Sequence, residues 1–453
     1  MKKYNLKISA PTDGRYANLC EEVNTLFSEH NLIKTRVKVE IEWFIFISNL
    51  SGIKSLPKFT ENQCRKLRKI YHDFTNNDSM RVKKIEETTK HDVKAVEYFI
   101  KEKIKNDNYI NKYKEHIHIC CTSEDINNIA YALMIKNGRD VLSKQVSIVD
   151  KKLKTLGKKF KKVSILSHTH GQPASPTTMG KEFINFQKRL NIQVSDLQKI
   201  EIKGKFNGAT GNYSAHSITY PNVNWPISIK KFIRGLKLEL NSHTTQIEPH
   251  DYIADLCHKI SHINSILIGF SQDIWTYISK NYFNQRNIAG EIGSSTMPHK
   301  INPINFENAE GNLGMSNALS QFFANKLTIS RLQRDLSDST VLRNLGLSFS
   351  YCLIAYKNIL IGLDKLEINK VKINEDIDNS WEILAEPIQM VARKYHIANS
   401  YEYLKKYTRG KKVNKEIILK IIDSLDIPSY EKKNLSKLTP RKYIGYATKL
   451  CDE

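Results

Sequence analysis

"IADLCHKISHINSILIGFSQDI", residues Ile253 to Ile274, places apolar side chains at Ile253, Leu256, Ile260, Ile263, Leu267, Phe270 and Ile274. The steps alternate between three and four residues, so all seven fall on one stripe of a helix and form a bundle seam. A second seam runs through Leu142, Val146, Val149, Leu153 and Leu156. A third runs through Phe183, Phe186, Leu190, Val194 and Leu197. A fourth helix is predicted to open at Asn302-Pro303, with Asn302 as N-cap and Pro303 at N1, and to run to about Leu332. Glycine (19) and proline (12) are sparse in 453 residues, so few breakers interrupt these patterns. The fold class is therefore all-α. No convincing strand alternation occurs, though short hairpins fit near Asn207 to His216.

Seams this long need partners, and a bundle extended across subunits supplies them. The length predicts two or three domains. Boundaries near residues 112 and 366 give an N-terminal helical domain (1–112), a central bundle domain (113–365) and a short-helix C-terminal domain (366–453).

Composition narrows the class of protein. Hydrophobic residues at 40% and charged residues at 26% fit a soluble globular chain. Seven cysteines are an odd number, Cys120 and Cys121 are adjacent, and no C-x-x-C spacing occurs. That argues against a disulfide framework or a zinc site and for a reducing compartment. The start, MKKYNLKISAPTDGRY, lacks the apolar core of a signal peptide. The apolar stretch from Trp43 to Ile47 is too short to span a bilayer. A cytoplasmic protein with no membrane partner is expected. The formal net charge is +23, but the lysines are spread along the chain and no zinc-finger, RRM or KH pattern accompanies them. Solvated helix faces, such as Lys151 to Lys162, account for them without a nucleic-acid partner. A basic enzyme also draws in small anionic substrates.

Four short stretches carry chemistry. "GSSTMPHKINP", Gly293 to Pro303, packs two hydroxyls, an imidazole, an ammonium and an amide ahead of a helix start. The positive end of that helix, Lys300 and Asn302 together suit a carboxylate gaining charge in a transition state. The same field favours deprotonation of a serine held there. A Gly-Ser loop ending in a cap explains Gly293, Asn302 and Pro303, but not Ser294, Met297, His299 and Lys300 together. "SHTHGQPASPTT", Ser167 to Thr178, reads as a loop carrying an acid/base histidine. "TTKHD", Thr88 to Asp92, precedes the helical "VKAVEYF". In "CTSEDINN", Cys120 to Asn128, Thr122 and Ser123 can cap a helix and hold an anion, and the two cysteines read as buried packing.

The signature GSSTMPHKINP resembles that of the fumarase/aspartase superfamily. DGRY (Asp13–Tyr16), TTKHDVKAVEYF, CTSEDINN, THGQP, TTQIEPHDY (Thr244–Tyr252), MPHK and RDLSDSTVLRN (Arg334–Asn344) narrow the resemblance to its adenylosuccinate lyases, in their longer-chain bacterial branch. The match runs from Pro11 to about Tyr446. It implies three mainly helical domains, and a homotetramer with a twenty-helix core and active sites shared between subunits. It implies β-elimination of fumarate from adenylosuccinate and from SAICAR, giving AMP and AICAR in purine biosynthesis, with no metal or organic cofactor.

The resemblance also assigns roles. Ser294 matches the base that takes the succinyl proton, and Lys300 and Asn302 meet the charge that develops. His170 matches the acid that protonates the leaving nitrogen, and Glu307 the carboxylate that orients it. His91 matches a second histidine that contacts substrate. Arg15, Tyr16, Arg334, Ser339 and Arg343 are expected at phosphate and ribose. Thr122, Ser123 and Gln246 are expected at the succinyl or base portion. Lys90, Asp92, Ser295, Asn308 and Thr340 complete the substrate-binding set. Two positions depart from close relatives: Lys90 stands where Asn is common, and His168 where Arg is common. The nearest alternative is another superfamily lyase or a carboxymuconate-type cycloisomerase.

Overall fold

The computed structural model describes residues 7–286, 288, 290, 296–297, 299–410 and 413–453. The chain is mainly helical, as the periodicity predicts. The N-terminal part holds α1 (Glu21–Phe27), α2 (Glu29–Ser48), α3 (Glu61–His72), α4 (Asn76–Thr89), α5 (Asp92–Ile104) and α6 (Asn108–Asn111). Five long helices follow, with shorter pieces between them: α7 (Ser123–Lys159), α8 (Met179–Lys199), α9 (Ser214–Thr219), α10 (Trp225–Gly235), α11 (Asp251–Ser279), α12 (Ile304–Leu327), α13 (Ser337–Leu342) and α14 (Leu345–Lys365). The remaining helices are short and lie between Lys370 and Ser436.

The residues group into two compact units. One takes the segment ending at Val146, Gln193–Ser265 and Gly311–Lys357. The other takes Ser147–Ile192, Ile266–Glu310 and Asn358–Glu453. Each of the five long helices contributes residues to both.

All three seams are buried, from Leu142 to Leu156, Phe183 to Leu197 and Ile253 to Ile274. Lys151, Lys154, Lys158 and Lys159 lie on the exposed side of α7, as a solvated face requires. Polar groups set the register where helices touch. In the first unit Asn264 donates to Ser316 Oγ (3.2 Å) and Asn317 Oδ1 (2.9 Å), and accepts from Tyr356 Oη (2.8 Å). Fully paired, such groups fix one alignment out of several that an apolar seam allows. In the second unit Phe183, Phe186 and Phe270 pack edge to face, and Gln187 donates to Asp150 (2.9 Å). Its C-terminal core is aliphatic, with Ile388, Leu404, Ile418, Ile421 and Leu435 buried together.

The span Ser337–Lys365 is long and apolar enough by composition to cross a membrane, a feature outside the reading of Trp43–Ile47. Within it 67% of the most apolar window is buried in protein, which is the pattern of a core helix. The seven cysteines are free thiols. Cys120 and Cys121 are half-buried, less enclosed than expected.

The three strand pairs are short. β1 (Ser164–Thr169) and β2 (Gln172–Thr178) form an antiparallel hairpin. β3 (Lys203–Gly204) pairs in parallel with β4 (Glu239–Leu240), and β5 (Phe283–Gln285) antiparallel with β6 (Leu366–Ile368). The Asn207–His216 segment carries no strand; it turns through Gly208 and Gly211 into α9.

His216 sits in an aromatic cage in the first unit. Its ring is 4.8 Å from that of Trp225 and 6.2 Å from that of Trp43, both edge-on. The side chain is fully buried, and among the described residues neither ring nitrogen has a hydrogen-bond partner. Burial pushes its pKa down to about 4 from an ordinary 6.5. Between those values the unfolded chain binds a proton that the folded chain refuses. The stability is therefore present above pH 6.5 and is lost as pH falls toward 4, by roughly 3 kcal/mol. His216→Phe keeps a ring in the cage and removes the titration. In urea unfolding from pH 6.5 to 4, wild type is expected to lose more stability than the variant; equal losses would contradict this account.

Candidate active site

The motif TTKHD forms a helix-to-helix junction. Lys90 ends α4 in a left-handed conformation (φ 53°), which turns the chain so that His91 caps α5. The His91 Nδ1 accepts the Lys94 N–H at 3.3 Å, so Nε2 is the nitrogen left to face outward. Nε2 lies 3.5 Å from Ser123 Oγ, at the first residue of α7. Two motifs more than thirty residues apart thus meet through the groups expected to contact substrate.

Asp92 accepts an ion pair from the buried Arg36 at 2.7 Å and one from Arg343 at 3.4 Å. Burial raises its carboxyl pKa, but Arg36, the Val93 N–H and Arg343 outweigh that and hold it below the usual carboxylate range. Arg343 also grips Glu29 at 2.7 Å. Its guanidinium is 39% exposed, so this fork is accessible to a ligand that can compete with two carboxylates.

The start of α7 is held by a buried ion pair. Lys205 Nζ lies 2.8 Å from Asp125 Oδ1, and both side chains are fully buried. Asp125 also accepts from the backbone N–H groups of Thr122 (2.8 Å), Asn207 (3.1 Å) and Gly208 (3.2 Å). Lys205 spends its other protons on the carbonyls of Gly208 (2.9 Å) and Gln246 (2.7 Å). A buried pair is tolerable only when every remaining donor and acceptor is satisfied, and here they are. The result fixes Thr122 and Gln246 in one frame. Gly211 completes it: at φ 80° an added Cβ would meet the Thr244 carbonyl oxygen at 2.0 Å.

Arg334 closes the cluster. Its Nη1 lies 3.2 Å from Glu124 Oε2 and 3.3 Å from Gln246 Oε1. Burial pushes the Glu124 pKa up to about 7 despite Arg334 and His250 nearby. His250 is buried between Asp338 (3.4 Å) and Glu248 (3.6 Å). Burial opposes its charge, but the two carboxylates win and raise its pKa. Asp338 Oδ1 in turn accepts the Ser339 N–H at 2.7 Å. Sequence reasoning missed Glu124, Asp125, Lys205, Glu248, His250 and Asp338. Most lie inside motifs already singled out, but nothing local told an inward carboxylate from a solvated one.

Arg15 is exposed in the DGRY turn, 5.8 Å over the Tyr16 ring. Among the described residues it makes no hydrogen bond or ion pair with the cluster. Thr340 is also exposed.

The second unit holds the other set of candidates. THGQP is the tip of a hairpin rather than an irregular loop. Thr169 pairs with Gln172, and His170 (φ 54°) and Gly171 (φ 74°) form a two-residue turn of the kind that matches strand twist. This lifts the His170 side chain into solvent. His168 is half-buried on β1, and burial, with Lys280 nearby, lowers its pKa. Glu307 Oε1 accepts from Trp275 Nε1 at 3.0 Å, and within one chain Glu307 makes no hydrogen bond to His170. α12 begins after the expected cap. The Pro303 carbonyl, not that of Asn302, takes the first helical bond, from Glu307 N at 3.3 Å, and the helix ends at Leu327 rather than Leu332. Lys300 is exposed, with its N–H on the Met297 carbonyl at 3.0 Å; Asn302 and Asn308 are half-buried. Ser294 and Ser295 lie outside the described residues.

Comparison with known proteins separates the candidates for this chemistry. Residues 14–316 match a family described as lyase, and residues 330–444 match the adenylosuccinate lyase C-terminal family. The chain is 51% identical to the adenylosuccinate lyase of Buchnera aphidicola subsp. Schizaphis graminum, covering 100% of both. It is 49% identical to that of Haemophilus influenzae and 48% to that of Escherichia coli K12, again over 100% of each. In fold it is similar to a fumarate lyase from Mesorhizobium sp. BNC1 (TM-score 0.78, 16% identity, 95% of this chain and 96% of that one). It is similar too to the 3-carboxy-cis,cis-muconate lactonizing enzyme of Pseudomonas putida (TM-score 0.75, 16% identity, 95% of each). The cycloisomerase alternative thus shares the architecture, while the sequence likeness runs full length to the other branch. The chain belongs to the adenylosuccinate lyase family of the fumarase/aspartase superfamily.

Proposed function

We infer that the enzyme is a carbon–nitrogen lyase that eliminates fumarate from adenylosuccinate to give AMP, and from SAICAR to give AICAR. The observation that carries this reading is the meeting of four motifs in one cluster. His91 reaches Ser123, and Arg334 reaches Gln246, in a chain of this family. Ser294 removes the proton from the succinyl carbon. Negative charge then grows on the adjacent carboxylate, and Lys300 and Asn302 stabilise it. His170 protonates the departing nitrogen as the carbon–nitrogen bond breaks. Arg343 and Arg334 hold phosphate, and Thr122, Ser123 and Gln246 hold the rest of the substrate.

The protein works as a homotetramer in the cytoplasm. Glu307 and His170 are both exposed and unpaired with each other within one chain, which suits a pair completed between subunits. Ile304, Met315 and Phe322 leave α12 with exposed apolar side chains, as does Trp275 on α11, and a neighbouring helix would cover them. The test of function is direct. Purified protein is mixed with adenylosuccinate, ultraviolet absorbance is followed, and the products are assayed for fumarate and AMP. Absence of both would refute the reading.

The two cationic groups have separable roles. Phosphate contacts act in ground and transition states alike, so Arg343→Ala is expected mainly to raise KM. The charge of Lys300 is needed most while the carboxylate gains electrons, so Lys300→Ala is expected mainly to lower kcat. Steady-state kinetics distinguish them. A kcat loss for Arg343→Ala as deep as that for Lys300→Ala, at unchanged KM, would sink the assignment.

A further inference from the structure

A cleft of about 600 Å³ in the first unit is lined by α2, α7 and the residues that follow α10. Lys34 and Lys38 enter it from successive turns of α2, Lys136 from α7, and Lys237 from beyond α10. Lys34, Lys38 and Lys136 are half-buried. None of the four ammonium groups has a carboxylate partner among the described residues. The cleft does contain two carboxylates, but both are already neutralised. Glu42 is held by both arms of Arg68 (2.8 Å each) and by the Tyr71 hydroxyl (2.8 Å). Asp140 is held by Arg139 at 2.9 Å.

Like charges one helical turn apart repel, and partial burial removes the water that would screen them. Lys136 registers the strain. Among the described residues its one hydrogen bond is to the Lys237 carbonyl at 3.1 Å. Burial first, then the charges of Lys237, Arg139 and Lys38, outweigh Asp140 and lower its pKa below the usual lysine range. Four cations without a contacting carboxylate among the described residues, lining one concave space, are the arrangement that a multiply charged anion would complete. The volume exceeds what one phosphate fills and falls in the range of small-molecule sites. The amide of Asn137, also on the lining, adds a neutral donor.

We propose that this cleft binds a small polyanion carrying two or more phosphate groups. It shares no residue with the cluster from His91 to Arg343, so its occupancy is separable from substrate binding. The probes are inorganic tripolyphosphate and ATP, titrated calorimetrically into the full-length protein at physiological salt with AMP and fumarate saturating the active site. Saturable binding of one tripolyphosphate per chain is expected. Tighter binding of ATP would indicate a nucleoside triphosphate as the occupant, and equal or weaker binding a free oligophosphate. The double variant Lys34→Gln/Lys38→Gln should weaken binding by about tenfold or more, through loss of two charge-assisted contacts. Lys136→Met should weaken it as well, while turnover of adenylosuccinate stays as in wild type. Absence of saturable binding, or affinity unchanged in both variants, would overturn the proposal.

Discussion

Ser294→Ala is expected to lower kcat by at least ~10²–10⁴-fold, the scale of a lost acid–base catalyst, while substrate still binds. The elimination begins with removal of a proton from a carbon that is only weakly acidic. A serine can accept it only where its own alkoxide is stabilised. Lys300 and the start of α12 follow Ser294 within ten residues, and in the proposed mechanism they supply that positive charge. Alanine has no basic atom to offer. Binding is expected to survive because the proposed phosphate and base contacts lie in other motifs. The control is the neighbouring hydroxyl. Near-normal turnover in Ser294→Ala together with collapse in Ser295→Ala would move the base by one residue.

Activity is expected to return when two inactive proteins are mixed. In the proposed homotetramer, His170→Ala and Ser294→Ala each disable every site. If a site draws these two residues from different chains, subunit exchange creates some sites that receive both wild-type side chains. Random mixing of equal amounts gives about a quarter of the wild-type sites in a closed oligomer. The gain over either parent is then roughly 25-fold or more, given a single loss of at least ~10². Two observations motivate this. Glu307 bonds to Trp275 rather than to His170, and exposed apolar side chains along α12 call for a covering neighbour. Kinetics after denaturation and joint refolding would read the effect. Full activity from dilute monomers would contradict the shared site.

The helices were legible before the structure because their signal is local. Each seam, such as Ile253 to Ile274, repeats within a few residues, and the period of a helix is a property of the backbone itself. Its buried positions follow without knowledge of any partner. The position of α5 was legible too, since a helical pattern follows TTKHD, but that His91 caps it was not, because histidine is not a preferred capping residue. The hairpin around His170 was less so. Its turn needs a positive φ at a histidine, a conformation uncommon outside glycine and one that no local pattern announces.

The buried charges were beyond sequence reasoning altogether. Glu124 and Asp125 look like ordinary acidic residues in the first turn of a helix, where they would favour the dipole from solvent. Asp125 instead faces Lys205, and Glu124 faces Arg334, 210 residues away. The sequence by itself determined the helices that carry the three seams, the faces they bury and the family whose motifs the chain carries. The tertiary structure decided which motifs meet and which charges are paired. A side chain's period depends on neighbours three and four residues away, whereas its ion-pair partner depends on how distant segments pack.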